Sequence, residues 1–306
     1  MVERANERIA YFNGRYVPES EVLIPFRDRG FKYGEAVFDT ARTFGHELRQ
    51  MDEHIQRLYR SLAYIGIDSR HTADEFHEIT QEVVKRNRHL VADDEDYWVF
   101  IRVTPGSGDP FFGDDGGGPT VIVDCTPIPF AARAHYFRDG LRVATSSFRR
   151  TPPSALSPRA KTQNYLNLMM ADREIRQRDA EAWAILLDEN GNLCECLGSN
   201  IFIVRDGRLL TPRERYVLPG VSRANVMRLA GEAGIDCREA DIDLFDAYGA
   251  DEMFLTSTSL CMVPVSSVDG RGLGGAVPGP VTARLIEAYK AFLGFDFVDQ
   301  YLRRLN

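Results

Sequence analysis

Hydrophobic and polar positions alternate with a period of two along Val37-Phe38-Asp39-Thr40-Ala41-Arg42-Thr43-Phe44. This predicts a strand with Val37, Asp39, Ala41 and Thr43 on one face and Phe38, Thr40, Arg42 and Phe44 on the other. An arginine and a threonine beside two phenylalanines suit either an edge arginine lying over aromatic rings or polar groups turned toward a pocket. Just beyond, Ile55, Leu58, Tyr59 and Leu62 recur at helical spacing. They predict a helix over 52–66 with Asp52 as candidate cap, and with His54 and Arg57 off the apolar stripe. Thr72-Ala73-Asp74-Glu75 has the form of a capping box opening a second helix toward Arg88, whose basic last turn suits the helix dipole. Residues 8–17 read as a hairpin with Asn13-Gly14 at its tip. Strands are predicted at 97–104 and 120–124, on either side of a glycine-rich stretch over 105–119 that has the character of a lid or insertion.

The second half alternates again. Strands are predicted at 141–146, 182–188, 200–204, 252–256 and 262–265, and helices at 164–178, 222–231 and 280–292. A turn is predicted at 188–192. Pro127 and Pro129 mark 127–135 as a linker between an N-terminal α/β domain (1–126) and a C-terminal α/β domain (136–306). There is no internal repeat.

Composition narrows the classes. Of 306 residues 44% are hydrophobic and 27% charged, as in ordinary globular domains. A net charge of −8 argues against a broad nucleic-acid-binding face. No apolar run reaches the roughly 18 residues needed to span a bilayer, and residues 1–8 are polar, unlike a secretory signal. The expectation is a soluble cytoplasmic protein acting on small molecules, with no nucleic-acid or membrane partner. Five scattered cysteines suit reduced thiols rather than a disulfide framework. The six histidines show no paired ligand spacing, so no metal site is expected, and His54 and His77 read as capping or surface groups.

Three stretches carry candidate chemistry. Lys161 follows a breaker-rich approach and stands where loop becomes predicted helix, with Tyr165 four residues on over the same helical face. Glu195 precedes Cys196-Leu197-Gly198-Ser199, a bend leading into an apolar strand, where a carboxylate would partner a cation or stay solvated in a loop. Leu218-Pro219-Gly220-Val221-Ser222-Arg223 is a turn entering a helix capped by Ser222, whose N-terminus suits a phosphate. Thr256-Ser257-Thr258-Ser259 adds four hydroxyls that either bind an anion or make a turn. A lysine amine, a carboxylate, a tyrosine and a helix N-terminus are together what pyridoxal phosphate requires.

With Tyr33-Gly34-Glu35-Ala36-Val37-Phe38-Asp39-Thr40-Ala41-Arg42 and His54-Ile55-Gln56-Arg57-Leu58, these motifs resemble the class IV aminotransferases over nearly the whole chain. That family includes branched-chain aminotransferases, D-amino-acid transaminases and (R)-selective amine transaminases. The resemblance implies the two-domain α/β fold of fold type IV, pyridoxal 5′-phosphate held between the domains, and a homodimer. It implies that Lys161 links to the cofactor and moves the proton, that Glu195 pairs with the pyridine nitrogen, and that Tyr165 pairs with the ring hydroxyl. Arg57, the backbone of Val221 and Ser222, and Thr258 would hold the phosphate. The retention of Lys161, Glu195 and Tyr165 argues for catalysis over a binding-only relative.

By the same resemblance, Tyr33, Phe38, Thr40, Arg42, Phe100, Arg102, Ser257 and Ser259 face the substrate. Aromatic groups with arginines favour an apolar side chain plus a carboxylate. The expected reaction moves an amino group between a branched-chain-type L-amino acid and a 2-keto acid. (R)-amines and D-amino acids are the alternatives, and Thr40 with Arg42 is also similar to the aminodeoxychorismate lyases.

Overall fold

The computed structural model describes residues 7–108, 111 and 116–305. The chain divides into two compact units, residues 1–128 with 160–164, and residues 129–159 with 165–306. Residues 127–135 hold the last residue of a strand and the first turns of a helix, because Phe130, Ala134 and Phe137 bury one helical face. The lysine stretch returns to the first unit rather than belonging to the second.

In the first unit, β1 (Ile9–Phe12), β2 (Arg15–Pro18), β3 (Val37–Phe44), β4 (Glu47–Leu48), β5 (Tyr97–Thr104) and β6 (Thr120–Pro127) form a sheet of order β2-β1-β6-β5-β3-β4. The β1–β2 turn is Asn13-Gly14, both at positive φ, as a two-residue hairpin loop demands. Helices α1 (Arg29–Tyr33), α2 (Met51–Ile65) and α3 (Ala73–Asn87) complete the unit. Alternation decides the sheet's faces: Val37, Ala41, Val99, Ile101, Val103, Val121 and Val123 are buried in one core with Ile55, Leu58, Leu62, Phe76 and Val83 of α2 and α3. Phe38, Thr40, Phe100, Arg102 and Asp124, of opposite parity, are only half-buried.

The capping box of α3 forms, Thr72 Oγ1 accepting from the Glu75 amide while Glu75 accepts from the Thr72 amide. Asp52, expected to cap α2, lies inside its first turn; Gln50 holds the cap position in the left-handed region. Residues 109–110 and 112–115 of the glycine-rich stretch, like the polar residues 1–6, lie outside the described residues.

The second unit contains α4 (Phe130–Asp139), β7 (Leu141–Arg149), α5 (Leu166–Arg178), β8 (Trp183–Leu187), β9 (Leu193–Cys196), β10 (Ser199–Arg205) and β11 (Arg208–Pro212). It continues with α6 (Val221–Glu232), β12 (Cys237–Ala240), α7 (Leu244–Tyr248), β13 (Glu252–Ser257), β14 (Cys261–Val268), β15 (Arg271–Gly272), α8 (Pro280–Leu293) and α9 (Phe297–Leu302). Strand order is β12-β11-β10-β13-β14-β7-β8-β9, and β9 also pairs with β10. The circuit β10-β13-β14-β7-β8-β9 therefore closes on itself, which removes the edges an open sheet would expose. The strand that closes it carries Glu195.

Candidate active site

Lys161 is held by its backbone, not by a helix. Its carbonyl accepts from Phe38 N at 2.9 Å, its amide donates to Ser61 Oγ at 3.0 Å, and Gln163 N donates to Ala36 O at 2.9 Å. Thr162 bridges to Val37, so the stretch runs as a short extra strand against the start of β3. This corrects the helical placement. Helix α5 begins only at Leu166 with Tyr165 at its cap position, so Lys161 and Tyr165 do not share a helical face. The lysine is 9% exposed, and its Nζ lies 4.5 Å from the centroid of the Phe38 ring.

Arg57 sits one turn before Ser61, whose hydroxyl donates back to the Arg57 carbonyl at 3.0 Å. Its guanidinium grips Asp39 in fork geometry, Nε to Oδ2 and Nη2 to Oδ1, both 2.8 Å. His54 Nδ1 lies 2.8 Å from the same Oδ1. All three are buried, so His54 is neither a cap nor a surface group. Burial alone would raise Asp39, but the Arg57 charge and the hydrogen bonds from His54 and Arg57 overcome it and hold the carboxyl far below its usual range. Burial is also the main reason His54 is pushed down, and it stays a neutral ring. An ionised carboxylate only accepts, so Nδ1 carries the proton. Asp39 and His54 escaped the sequence reading, although an acid at a buried-parity position of β3 was a signal for the first.

The sheet register sets the half-buried face. Phe38 stands opposite Arg102, and Thr40 opposite Phe100. Arg102 lies over the Phe100 ring, 4.5 Å to its centroid, and meets Asp124. Tyr33, at the end of α1, is half-exposed and edge-on to Phe111. Arg42 does not join them. It is 1% exposed, lies 4.2 Å over the Phe44 ring, donates to Thr43 O and pairs with Asp96 at 3.5 Å. A guanidinium committed to a buried acid is not offered to a substrate, so the reading of Arg42 as an arginine over an aromatic ring replaces its substrate role.

In the second unit Glu195 is 5% exposed on β9, not on a solvated loop. Its Oε1 accepts from Arg150 Nε at 2.8 Å and its Oε2 from Leu218 N at 3.0 Å. The Leu218 carbonyl accepts from Asn200 Nδ2 at 2.9 Å, so Leu218 is clamped from both sides. Two residues later Gly220 caps α6 with no side-chain bond, and a Cβ there would meet Asn200 Oδ1 at 2.2 Å. Ser222 is therefore within the first turn rather than at the cap, and the amides of Val221 and Ser222 open the helix without a side-chain cap. Tyr165 packs against the cluster of Leu168 and Ala171. Thr258 is half-buried in the turn after β13; Ser257 Oγ accepts from Leu260 N at 3.2 Å and Ser259 Oγ from Arg133 at 3.0 Å, so these two hydroxyls hold the turn.

These features fit pyridoxal phosphate. A buried, hydrogen-bonded carboxylate suits a protonated ring nitrogen, an uncapped helix start suits a phosphate, and the Ser199 and Thr256 hydroxyls are buried without a partner among the described residues. All five cysteines are free.

The model of the family Amino-transferase class IV matches residues 36–268. The chain is 35% identical over 284 residues to a putative branched-chain-amino-acid aminotransferase of Methanocaldococcus jannaschii, covering 92% of this chain and 94% of the relative. It is 30% identical over 272 residues to the D-alanine aminotransferase of Bacillus licheniformis, covering 89% and 92%. Among solved structures, the branched-chain amino acid aminotransferase from Escherichia coli superposes with a TM-score of 0.84 at 28% identity, covering 98% of this chain and 96% of that one. The branched-chain amino acid aminotransferase from Thermobaculum terrenum, in its PLP-form, superposes at 0.82 and 26% identity, covering 98% of each chain. The chain belongs to the class IV aminotransferases: it is a transaminase of fold type IV.

Proposed function

We propose that this chain moves an amino group between an apolar amine donor, foremost a branched-chain-type L-amino acid, and a 2-keto acid by a ping-pong course with pyridoxal 5′-phosphate. The observation that carries this is the Lys161 amine over Phe38, on the sheet face that holds Thr40, Phe100 and Arg102. The cofactor, when bound, supplies an electron sink for the donor's α-carbanion. Lys161 anchors it and shuttles the proton at Nζ. Glu195, fixed by Arg150 and Leu218 N, receives the ring N–H, and Tyr165 faces the ring hydroxyl. Arg57, pre-oriented by Asp39, holds the phosphate with the Val221 and Ser222 amides and Thr258. Phe38, Phe100 and Tyr33 receive the apolar side chain on the face that Thr40 and Arg102 share, and Ser257 and Ser259, which hold the turn after β13, complete the substrate-facing set.

The protein acts as a homodimer, for which the exposed apolar residues Leu23, Ile24, Phe26 and Phe31 offer a contact surface. Free thiols suit a reducing cytoplasm. The likeness to a D-alanine aminotransferase keeps D-amino acids as the second reading. The loss of Arg42 from the substrate face takes away half of the likeness to the lyases.

A donor panel with one keto acceptor tests this: L-leucine, D-alanine and both enantiomers of 1-phenylethylamine. L-leucine is expected to turn over fastest. Turnover of D-alanine or the (R)-amine without leucine would overturn the donor assignment, and no amino transfer from any donor would overturn the reaction.

A further inference from the structure

The half-buried face of the first sheet carries an ion pair as well as aromatic rings. The register puts Phe38, Arg102 and Ile122 in one row and Thr40, Phe100 and Asp124 in the next. Arg102 crosses from one row to the other, lying over Phe100 so that its Nη1 meets Asp124 Oδ1. Neither side chain is sealed off, at 31% and 15% exposure, so both are accessible to a ligand. Lys161 Nζ stands over the first residue of the Arg102 row. The guanidinium on this face is thus already matched by an anion from the protein itself, and the phenylalanine rings and the neutral Thr40 lie around it.

We propose that Asp124 is a specificity-determining residue: by occupying Arg102 it makes this face receive an apolar side chain and disfavours a donor or acceptor bearing a second carboxylate. The inference rests on the substrate face assigned under the proposed function. A dicarboxylate has to displace Asp124 from the guanidinium, leaving a half-buried carboxylate unpaired beside a second one. An apolar side chain lies over the phenylalanine rings and displaces nothing. Specificity of this kind comes from a repulsive element as much as from an attractive one.

The test uses the cofactor-loaded protein and two unreactive acids, 4-methylvalerate and glutarate, titrated while the cofactor's absorbance is followed. The wild-type protein is expected to bind 4-methylvalerate more tightly. Asp124→Asn should move the ratio of the two dissociation constants toward glutarate by about tenfold, or about 1.4 kcal/mol. Asp124→Ser should do the same, and the shift should vanish when Arg102→Leu is added. An unchanged ratio in both Asp124 variants, with 4-methylvalerate still bound, overturns the proposal and leaves the aminotransferase reading standing. Failure of the wild-type protein to bind either acid overturns the substrate face, and the proposal with it.

Discussion

Asp39 shows how much chemistry one buried acid can organise. With Arg57 and His54 on its two oxygens, it is a fixed anion that orients a fixed cation. Its carboxyl is held below the unfolded value near 3.9, so it contributes stability that is complete above about pH 4. That contribution fades as pH falls through the lower folded value. Asp39→Asn should therefore cost about 3 kcal/mol or more at neutral pH, and its stability should vary less with pH on the acid side, as urea titrations at pH 3 and pH 7 would measure. Lys161→Ala should fold, retain phosphate affinity and lose transamination by about a thousandfold or more, read by coupled assay. Borohydride treatment should fix cofactor to the Lys161 peptide in the wild-type protein alone, by mass spectrometry. At this scale Lys161, Glu195 and Arg57 were legible from their motifs as candidate site residues. Asp124 was not, because a strand acid acquires a partner only through register with the neighbouring strand.

Elements written by local rules appear where the pattern put them. β3 and β5 follow the period of two, and α3 its capping box. Those that failed depend on contacts distant in sequence. β9 reads as a loop in the sequence because only pairing with β8 and β10 makes it a strand, and the lysine stretch reads as a helix start although β3 captures it. Helix α6 offers a paired test. Gly220→Ala brings a Cβ to within 2.2 Å of an amide already tied to Leu218, so the helix start must shift. The expected result is cofactor affinity lower by about tenfold, with reduced thermal stability. Gly231→Ala, in the same helix with open space around it, should instead stabilise by about 0.5–1 kcal/mol, measured by thermal unfolding, and leave cofactor affinity unchanged.

For the whole molecule, the exposed apolar residues Leu23, Ile24, Phe26 and Phe31 carry the assembly prediction. Leu23 is 74% exposed and Phe26 70%, an arrangement a lone soluble chain rarely tolerates in a cluster. Sedimentation should give a dimer, and Leu23→Ser with Phe26→Ser should shift it toward monomer. Local pattern sufficed for the alternation of strands and helices, for the family and for the candidate groups at Lys161, Glu195 and Arg57. Periodicity, caps and turn residues act within a few positions, and the motifs survive as contiguous stretches. Folding in three dimensions settled which charges neutralise one another: Arg42 with Asp96, Arg57 with Asp39, Arg102 with Asp124 and Glu195 with Arg150. An ion pair depends on distance in space, and strand register sets that distance between residues the chain keeps far apart.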